Sequence, residues 1–322
     1  MATKQKIKIL AIVGPTASGK TAVAVELARR LGGEVVSCDS MQVYRRMNIG
    51  TAKPTAEEMC DIPHHLIDAV EPDVPFSCAE YVSMASEAVK EISARGKLPI
   101  LCGGTGLYLD RFLCGEMEET HADESLRTSL FAFAEQKGVE ALHARLREVD
   151  PESAEAIHPN NVKRVVRALE IYEQTGIPKS EFDRRSQLCE SPYDATVIGL
   201  HYPHREVLYE RINRRVDMML ADGLLEETKR LLDEGVFEVN LTAAQAIGYK
   251  ELLGYLGGNE TLNEAAENLK TATRRYAKRQ LTWFTAKPYV EWMEMEQDGS
   301  LRSLDDVCRE IVSRFEQEGG ER

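Results

Sequence analysis

The residues most able to do chemistry form a glycine-rich loop near the N-terminus. An apolar run over 9–13 leads into the pattern Gly14-x-x-x-x-Gly19-Lys20-Thr21, and a helical pattern follows. Glycines at this spacing let backbone N–H groups form a nest at the positive end of the helix, where a polyphosphate is held. The lysine neutralises phosphate oxygens, and the threonine hydroxyl can bind Mg²⁺. We therefore predict a di- or triphosphate site, with Thr21 as the Mg²⁺ ligand, formed by Gly14, Pro15, Thr16, Ala17, Ser18, Gly19, Lys20 and Thr21.

Two further segments are expected to bring polar groups to the same place. A predicted strand over 34–39 ends in Asp39, and another over 97–102 ends in the turn Gly103-Gly104-Thr105-Gly106. Because ligands bind at the carboxyl ends of the strands in open α/β sheets, we expect both segments beside the phosphate loop. The pattern leaves Asp39 open to three interpretations: a turn carboxylate for residues 40–42, a Mg²⁺ ligand or a general base.

These elements predict an α/β fold with a P-loop-type parallel β-sheet core flanked by helices. From about residue 116 the sequence changes to helical periods without a strand-like run, and strands resume at 195. We therefore predict a catalytic core over 1–115 and 190–322, interrupted by an all-helical insertion domain over 116–189. Within the second part of the core, we expect strands over 195–201 and 289–295 and helices over 205–220, 224–234, 242–256, 262–286 and 303–315.

The distribution of charge matters more than its sum. The net charge of −13 is unfavourable for nucleic acid, because phosphate contacts need Lys and Arg. Basic residues nevertheless cluster over 163–167, 205–215 and 274–283, and the last run also carries two aromatic residues. Each run taken alone is compatible with a solvated helix face. Together they are compatible with nucleic acid binding along a stripe of an otherwise acidic surface.

The sequence also indicates a compartment. It has seven cysteines, an odd number without a Cys-x-x-Cys pair, and it has neither an N-terminal signal sequence nor an apolar run of about 18 residues. We therefore expect a cytoplasmic protein that does not enter a membrane. No feature requires an oligomer, so we expect a monomer.

Seven motifs in this order resemble those of the tRNA dimethylallyltransferases, in their bacterial form. They lie at 14–21, 39–44, 48–54, 103–108, 164–170, 245–250 and 278–284. The resemblance spans nearly the whole chain. It implies transfer of a dimethylallyl group from dimethylallyl diphosphate to the exocyclic N6 amine of adenosine 37 of tRNA, 3′ of the anticodon, with release of diphosphate.

The resemblance also implies roles for individual residues. Asp39 would be the general base for the adenine amine, which selects one of the three interpretations above. Lys20, a Mg²⁺ ion on Thr21 and Arg215 would stabilise the negative charge that builds on the leaving diphosphate. Because Arg211 and Arg214 lie on the same predicted helix, the choice among the three arginines stays open.

The RNA contacts implied by the resemblance fall into two groups. The base pocket would be lined by Asp39, Ser40, Met41, Gln42, Thr105, Gln245, Gly248, Tyr249 and Lys250. The tRNA backbone and loop would be held by Arg127, Lys163, Arg164, Arg167, Lys278, Arg279, Gln280 and Trp283. The helical insertion would grip the anticodon stem-loop.

Three other functions use parts of the same pattern. A P-loop kinase needs the phosphate loop but neither the basic stripes nor the insertion. A prenyltransferase acting on free AMP, ADP or ATP needs the same chemistry but no RNA contacts. An RNA-binding module without catalysis would not need Lys20, Thr21 and Asp39 together.

Overall fold

The structure, a computed structural model, describes residues 6–115, 123–188 and 190–320. The chain divides into two compact units, one formed by Met1–Leu113 and Pro192–Arg322 and the other by Cys114–Ser191. The predicted domain boundaries involve residues 116 and 189, which lie outside the described residues. Within the described ranges, no helix is both long and apolar enough to cross a membrane.

The first unit contains a six-stranded parallel sheet. Its strands are β1 (Ile7–Val13), β2 (Gly33–Cys38), β3 (His64–His65), β4 (Leu98–Gly103), β5 (Tyr193–His201) and β6 (Val290–Glu294). The order across the sheet is β3-β2-β4-β1-β5-β6, which confirms the predicted α/β fold. A small antiparallel pair, β7 (Glu296–Gln297) and β8 (Ser300–Leu301), follows the sheet.

Helices supply the rest of the regular structure. In chain order they are α1 (Lys20–Leu31), α2 (Ala56–Met59), α3 (Cys78–Ala94), α4 (Gly106–Cys114), α5 (Glu124–Lys137), α6 (Val139–Val149), α7 (Pro151–Ala156), α8 (Val162–Thr175), α9 (Lys179–Leu188), α10 (Arg205–Ala221), α11 (Leu224–Asp233), α12 (Val236–Val239), α13 (Leu253–Leu256), α14 (Leu262–Thr285) and α15 (Leu304–Gly320). Helices α5 to α9 belong to the second unit.

The sheet is buried on both faces, as the continuous apolar sequence of β1 requires. Ile9 and Ala11 pack into one apolar cluster, whereas Leu10 and Ile12 pack into another, because successive side chains of a strand point to opposite faces. The register places Val13 and Cys38 both opposite Gly103. The loops that leave β1, β2 and β4 therefore start at the same level of the sheet.

The second unit has its own apolar core. Leu130 on α5, Leu142 and Leu146 on α6, and Val165 and Leu169 on α8 are buried in one cluster. Helices α5, α6 and α8 each carry a stripe of apolar residues, as their sequence periods predict. These contacts make the second unit a compact helical body.

One predicted helix is wrong. The segment 242–256 forms a 3₁₀ turn at Ala243–Gln245, a series of turns and only the short helix α13. Gly248 adopts a φ of +112° and approaches the backbone of Gly50, which a continuous helix would prevent. Tertiary packing therefore overrides the local helical pattern here.

Candidate active site

A cleft of about 620 Å³ opens at the carboxyl ends of the strands of the first unit. It is lined by the phosphate loop, the turn after β2, the segments 50–54 and 245–250, and one side each of α10 and α14. The parallel sheet explains this meeting, because every loop that leaves a strand end reaches the same edge. Among the predicted site residues of the first unit, those that line this cleft are Thr16, Ala17, Gly19, Lys20, Thr21, Asp39, Ser40, Met41, Gln42, Arg215, Gln245, Gly248, Lys250, Arg279 and Gln280.

The phosphate loop has the geometry that anion binding needs. Gly14, with a φ of +139°, approaches Leu200 so closely that a Cβ would lie 3.0 Å from its carbonyl oxygen. Gly19, with a φ of +92°, precedes α1, and no side chain caps this helix. Helices α3 and α14, by contrast, begin with full capping boxes. The uncapped N–H groups of α1 therefore remain available for phosphate oxygens.

Lys20 lies within this loop. Its ammonium donates a hydrogen bond to the carbonyl oxygen of Pro15 at 2.6 Å. Burial lowers the pKa of Lys20 to about 8, and the nearby charge of Arg215 acts in the same direction. A diphosphate would supply the opposite charge that this half-buried amine needs.

Gln280 holds the phosphate loop from the side of α14. Its Oε1 accepts from the backbone N–H of Thr16 at 2.8 Å, and its Nε2 donates to the carbonyl oxygen of Gly104 at 3.0 Å. The residue is only 5% exposed. Both ends of the side chain are thus used inside the protein, and the contact of Gln280 with RNA stays a prediction.

Asp39 uses one carboxylate oxygen to build the turn that follows β2. Its Oδ1 accepts from the backbone N–H groups of Met41 at 2.9 Å and Gln42 at 3.3 Å. Within the described part of the chain, Oδ2 has no hydrogen-bond partner, and the residue lines the cleft. One oxygen thus fits the turn interpretation, and the other is available for a base or a metal ligand. Thr105 steadies the same turn by accepting from the N–H of Ser40 at 3.1 Å.

The three candidate arginines on α10 differ in their contacts. Arg211 donates from Nε to the carbonyl oxygen of Ala17 at 2.9 Å, so it supports the phosphate loop. Arg214 is exposed at the rim of the cleft. Arg215 lines the cleft, its charge lowers the pKa of Lys20, and burial lowers the pKa of Arg215 itself. These contacts favour Arg215 for an interaction with diphosphate.

The opposite wall of the cleft contains the segment 245–250. Gln245, Gly248 and Lys250 line the cleft. Tyr249 is fully buried, and its hydroxyl donates to Glu227 at 2.8 Å. The prediction that Tyr249 contacts RNA is therefore wrong in this structure, because the side chain has no surface to offer.

The remaining predicted RNA contacts of the first unit lie on α14. Lys278 and Arg279 are exposed, and Arg279 also lines the cleft. Together with Trp283 they line a second, more open depression of about 710 Å³. The Trp283 ring packs against Gly106, and the Lys287 ammonium lies 5.2 Å from its centroid.

The predicted contacts of the second unit divide into two kinds. Lys163 and Arg164 are exposed on α8. Arg127 and Arg167 instead bind the buried carboxylate of Glu170, at 2.9 Å and 2.6 Å, while about a third of each arginine side chain stays exposed. Those two arginines therefore have a structural role in addition to any contact with RNA.

Comparison with known proteins identifies the family. A family model described as IPP transferase matches residues 42–287. This chain belongs to the IPP transferase family. It is 50% identical over 313 residues to the tRNA dimethylallyltransferase of Halalkalibacterium halodurans, covering 97% of this chain and 99% of that relative. It is also 50% identical over 309 residues to that of Caldanaerobacter subterraneus, covering 95% and 98%.

Solved structures of IPP transferases share the fold. A full-length tRNA isopentenylpyrophosphate transferase from Bacillus halodurans matches with a TM-score of 0.71 at 48% identity, covering 98% of each chain. A eukaryotic dimethylallyltransferase acting on tRNA matches with a TM-score of 0.79 at 30% identity, covering 95% of this chain and 80% of the other.

Sequence reasoning missed two residues of this IPP transferase site. Tyr276 lines the cleft, and burial raises its pKa. The signal that could have revealed it is helical spacing, since one stripe of α14 faces the cleft with Leu269, Thr273, Tyr276 and Gln280. The second missed residue, Glu227, gives no local signal, because its partners lie in distant segments.

Proposed function

We propose that this protein transfers a dimethylallyl group from dimethylallyl diphosphate to the N6 amine of adenosine 37 of tRNA and releases diphosphate. One observation carries the proposal: a single cleft holds both an uncapped phosphate loop with a half-buried lysine and the Oδ2 of Asp39, which has no hydrogen-bond partner among the described residues. Alkyl transfer from a diphosphate needs both, because charge develops on the leaving group while the attacking amine loses a proton. Membership of the IPP transferase family supports the choice of donor and acceptor.

At the diphosphate end, the chain offers fixed donors. The N–H groups of the phosphate loop and the ammonium of Lys20 would bind the diphosphate oxygens, and Arg215 would approach from α10. Because these groups are held by the fold, little reorganisation is needed as charge develops on the leaving group. Lys20 would exchange the carbonyl of Pro15 for a phosphate oxygen.

The residues present also fit a Mg²⁺ ion. The Thr21 side chain lines the cleft, and its hydroxyl has no hydrogen-bond partner within the described ranges. Mg²⁺ is commonly held by few protein ligands together with substrate phosphate oxygens, which matches a lone hydroxyl beside a diphosphate site. When bound, the cation would neutralise charge on the leaving diphosphate.

At the acceptor end, Asp39 would take the proton of the adenine amine through Oδ2. The turn held by Oδ1 fixes the carboxylate relative to Ser40, Met41 and Gln42, which would contact the base with Thr105, Gln245, Gly248 and Lys250. Such a base must leave its stack, as bases of single-stranded loops can. This arrangement assigns different tasks to the two oxygens of one side chain.

The exposed basic residues would hold the tRNA backbone. Lys278 and Arg279 lie beside the half-buried ring of Trp283 on α14, and Lys163 and Arg164 lie on α8. We propose that the unit Cys114–Ser191 grips the anticodon stem-loop and that the protein acts as a cytoplasmic monomer. Several phosphate contacts would make RNA binding depend steeply on salt.

A direct substrate test decides the function. Purified protein is incubated with radiolabelled dimethylallyl diphosphate and either unmodified tRNA or AMP, with Mg²⁺ or with EDTA, and ATP hydrolysis is followed in parallel. We expect label in tRNA alone, and only with the divalent cation. Label in AMP would retain the chemistry and change the acceptor. ATP hydrolysis without prenyl transfer would overturn the proposal in favour of a kinase-like activity.

A further inference from the structure

Glu227 on α11 collects an unusual set of hydrogen bonds. The residue is only 4% exposed. Its two carboxylate oxygens accept from the backbone N–H groups of Asn48, Ile49 and Gly50, at 3.1, 2.9 and 3.0 Å. Oε1 also accepts from the hydroxyl of Tyr249 at 2.8 Å. One buried side chain therefore holds two segments that are some 200 residues apart in the sequence.

The two segments meet directly beside this carboxylate. A Cβ on Gly50 would lie 2.4 Å from the ring of Tyr249, and a Cβ on Gly248 would lie 3.0 Å from the carbonyl oxygen of Gly50. Both contacts need a residue without a side chain. The segments 50–54 and 245–250 thus form one continuous wall of the cleft.

This wall is connected to the proposed base. The side-chain amide of Gln42 donates to the carbonyl oxygens of Thr51 and Ala52, at 3.3 and 3.2 Å. The backbone N–H of Gln42 donates to Oδ1 of Asp39. A path of direct hydrogen bonds therefore leads from Glu227 through the segment 48–52 to the turn that orients Asp39.

The chemistry of the donors explains why position 227 needs a carboxylate. Three N–H groups and one hydroxyl converge on the side chain, and a carboxylate offers two oxygens that only accept. Glutamine at this position would point an NH₂ group at one or more N–H donors, leaving buried groups without partners. The isosteric substitution therefore disturbs the wall without changing its volume.

We propose that Glu227 is a positioning residue that sets the acceptor-side wall of the cleft and the orientation of the Asp39 turn. It reaches the substrate only through the segments that it holds. The proposal rests on the proposed function for the identity of the acceptor. The motif at 48–54, which carries no chemistry of its own, then has a physical explanation: it presents N–H groups to Glu227.

The kinetic test compares Glu227→Gln with Glu226→Gln, an exposed neighbour on the same helix. We expect Glu227→Gln to lower kcat/KM for tRNA by at least about tenfold, because a misplaced wall and base impair the reaction geometry. The KM for dimethylallyl diphosphate should change by less than about twofold, because Gln280 holds the phosphate loop separately. Glu226→Gln should behave as the wild type. The proposal would be overturned if Glu227→Gln impaired the use of dimethylallyl diphosphate as much as the use of tRNA, or if it impaired neither.

A second measurement needs no activity. Hydrogen exchange should become faster at the amides of residues 48–50 in Glu227→Gln and stay unchanged in Glu226→Gln. This result stands even if the wild type fails to modify tRNA, so failure of the proposed function and failure of the positioning role are distinguished. Protected amides in Glu227→Gln would refute the positioning role.

Tyr249→Phe covers the case in which Glu227→Gln does not fold. It removes one hydrogen bond to Glu227 and keeps the carboxylate and the ring. We expect a smaller increase in exchange at 48–50 and a loss of a few-fold in kcat/KM for tRNA. If Glu227→Gln unfolds and Tyr249→Phe matches the wild type in both measurements, Glu227 serves folding alone and the proposal is wrong.

Discussion

The two walls of the cleft are held by Gln280 and Glu227, whose side chains have nearly the same shape. They differ in hydrogen bonding, because the amide both donates and accepts whereas the carboxylate only accepts. On the phosphate side, Gln280 joins one N–H group to one carbonyl oxygen. On the other side, Glu227 accepts from three N–H groups and a hydroxyl. The amide suits a place with one donor and one acceptor, whereas the carboxylate suits a place with donors alone.

This difference follows from what each loop must do. The phosphate loop has to leave its other N–H groups available for a ligand, so Gln280 accepts a hydrogen bond only from the N–H of Thr16. In the segment 48–50, by contrast, all three backbone N–H groups donate to Glu227. The same pair of substitutions, Gln to Glu at one wall and Glu to Gln at the other, should therefore be damaging in both places for opposite reasons.

The largest effect is expected at Asp39, the proposed base, which lines the cleft. Asp39→Asn keeps an oxygen that can accept from the N–H groups of Met41 and Gln42, but it cannot take a proton. Turnover should fall by at least about 10²-fold, as it should in Asp39→Ala, while tRNA affinity measured by filter binding stays near the wild-type value. Normal turnover in Asp39→Asn would contradict the assignment of the base and leave only the turn role.

The second-largest effect is expected on the phosphate side of the cleft, for Gln280→Glu. Gln280→Glu would place a carboxylate against the carbonyl oxygen of Gly104 and bring negative charge to the diphosphate site. We expect the KM for dimethylallyl diphosphate to rise by about tenfold or more, since an unpaired buried group costs about 1–3 kcal/mol. The KM for tRNA should change little in steady-state measurements. If Gln280→Glu impairs mainly the use of dimethylallyl diphosphate and Glu227→Gln mainly the use of tRNA, the two walls are held separately. The same kinetic changes in both variants would show that the walls are not independent.

The smallest effect concerns the second unit, where the buried carboxylate of Glu170 is held by Arg127 and Arg167. Arg164→Ala removes an exposed charge, and we expect weaker tRNA binding with a salt slope lower by about one unit per lost phosphate contact. Arg167→Ala should do the same and also lower the free energy of unfolding by about 1 kcal/mol, because Glu170 loses a partner. Salt-dependent binding and thermal unfolding separate the two contributions. If the variant that combines Arg164→Ala with Arg167→Ala keeps the wild-type salt slope of tRNA binding, both arginines have a structural role alone.

The residues brought together by local rules could be predicted from the sequence. The phosphate loop is one continuous motif, and Asp39 and Thr105 each follow a recognisable strand. The rule that parallel strands open their ligand site at one edge then joins them. For these residues the sequence pattern and the sheet topology carry the same information.

The residues that hold the walls of the cleft together could not be predicted, because a polar residue within a motif can face a ligand or a neighbouring loop. Gln280 and Tyr249 lie in such motifs, and only their burial and their distant partners reveal that they act inside the protein. The failed helix at 242–256 has the same origin, since its conformation depends on a contact with Gly50. Long-range packing decided each of these cases.

The long helix α14 has a consequence for the order in which ligands act. Its 24 residues span about 36 Å, with Gln280 against the phosphate loop on one side and Lys278 on the outer side. Any displacement of α14 therefore moves both Gln280 at the phosphate loop and Lys278 at the outer surface. If diphosphate tightens RNA binding by moving α14, thermodynamic reciprocity requires RNA to tighten diphosphate binding by the same factor. Release of diphosphate after transfer would then loosen the modified RNA as well, which would couple the departure of the two products.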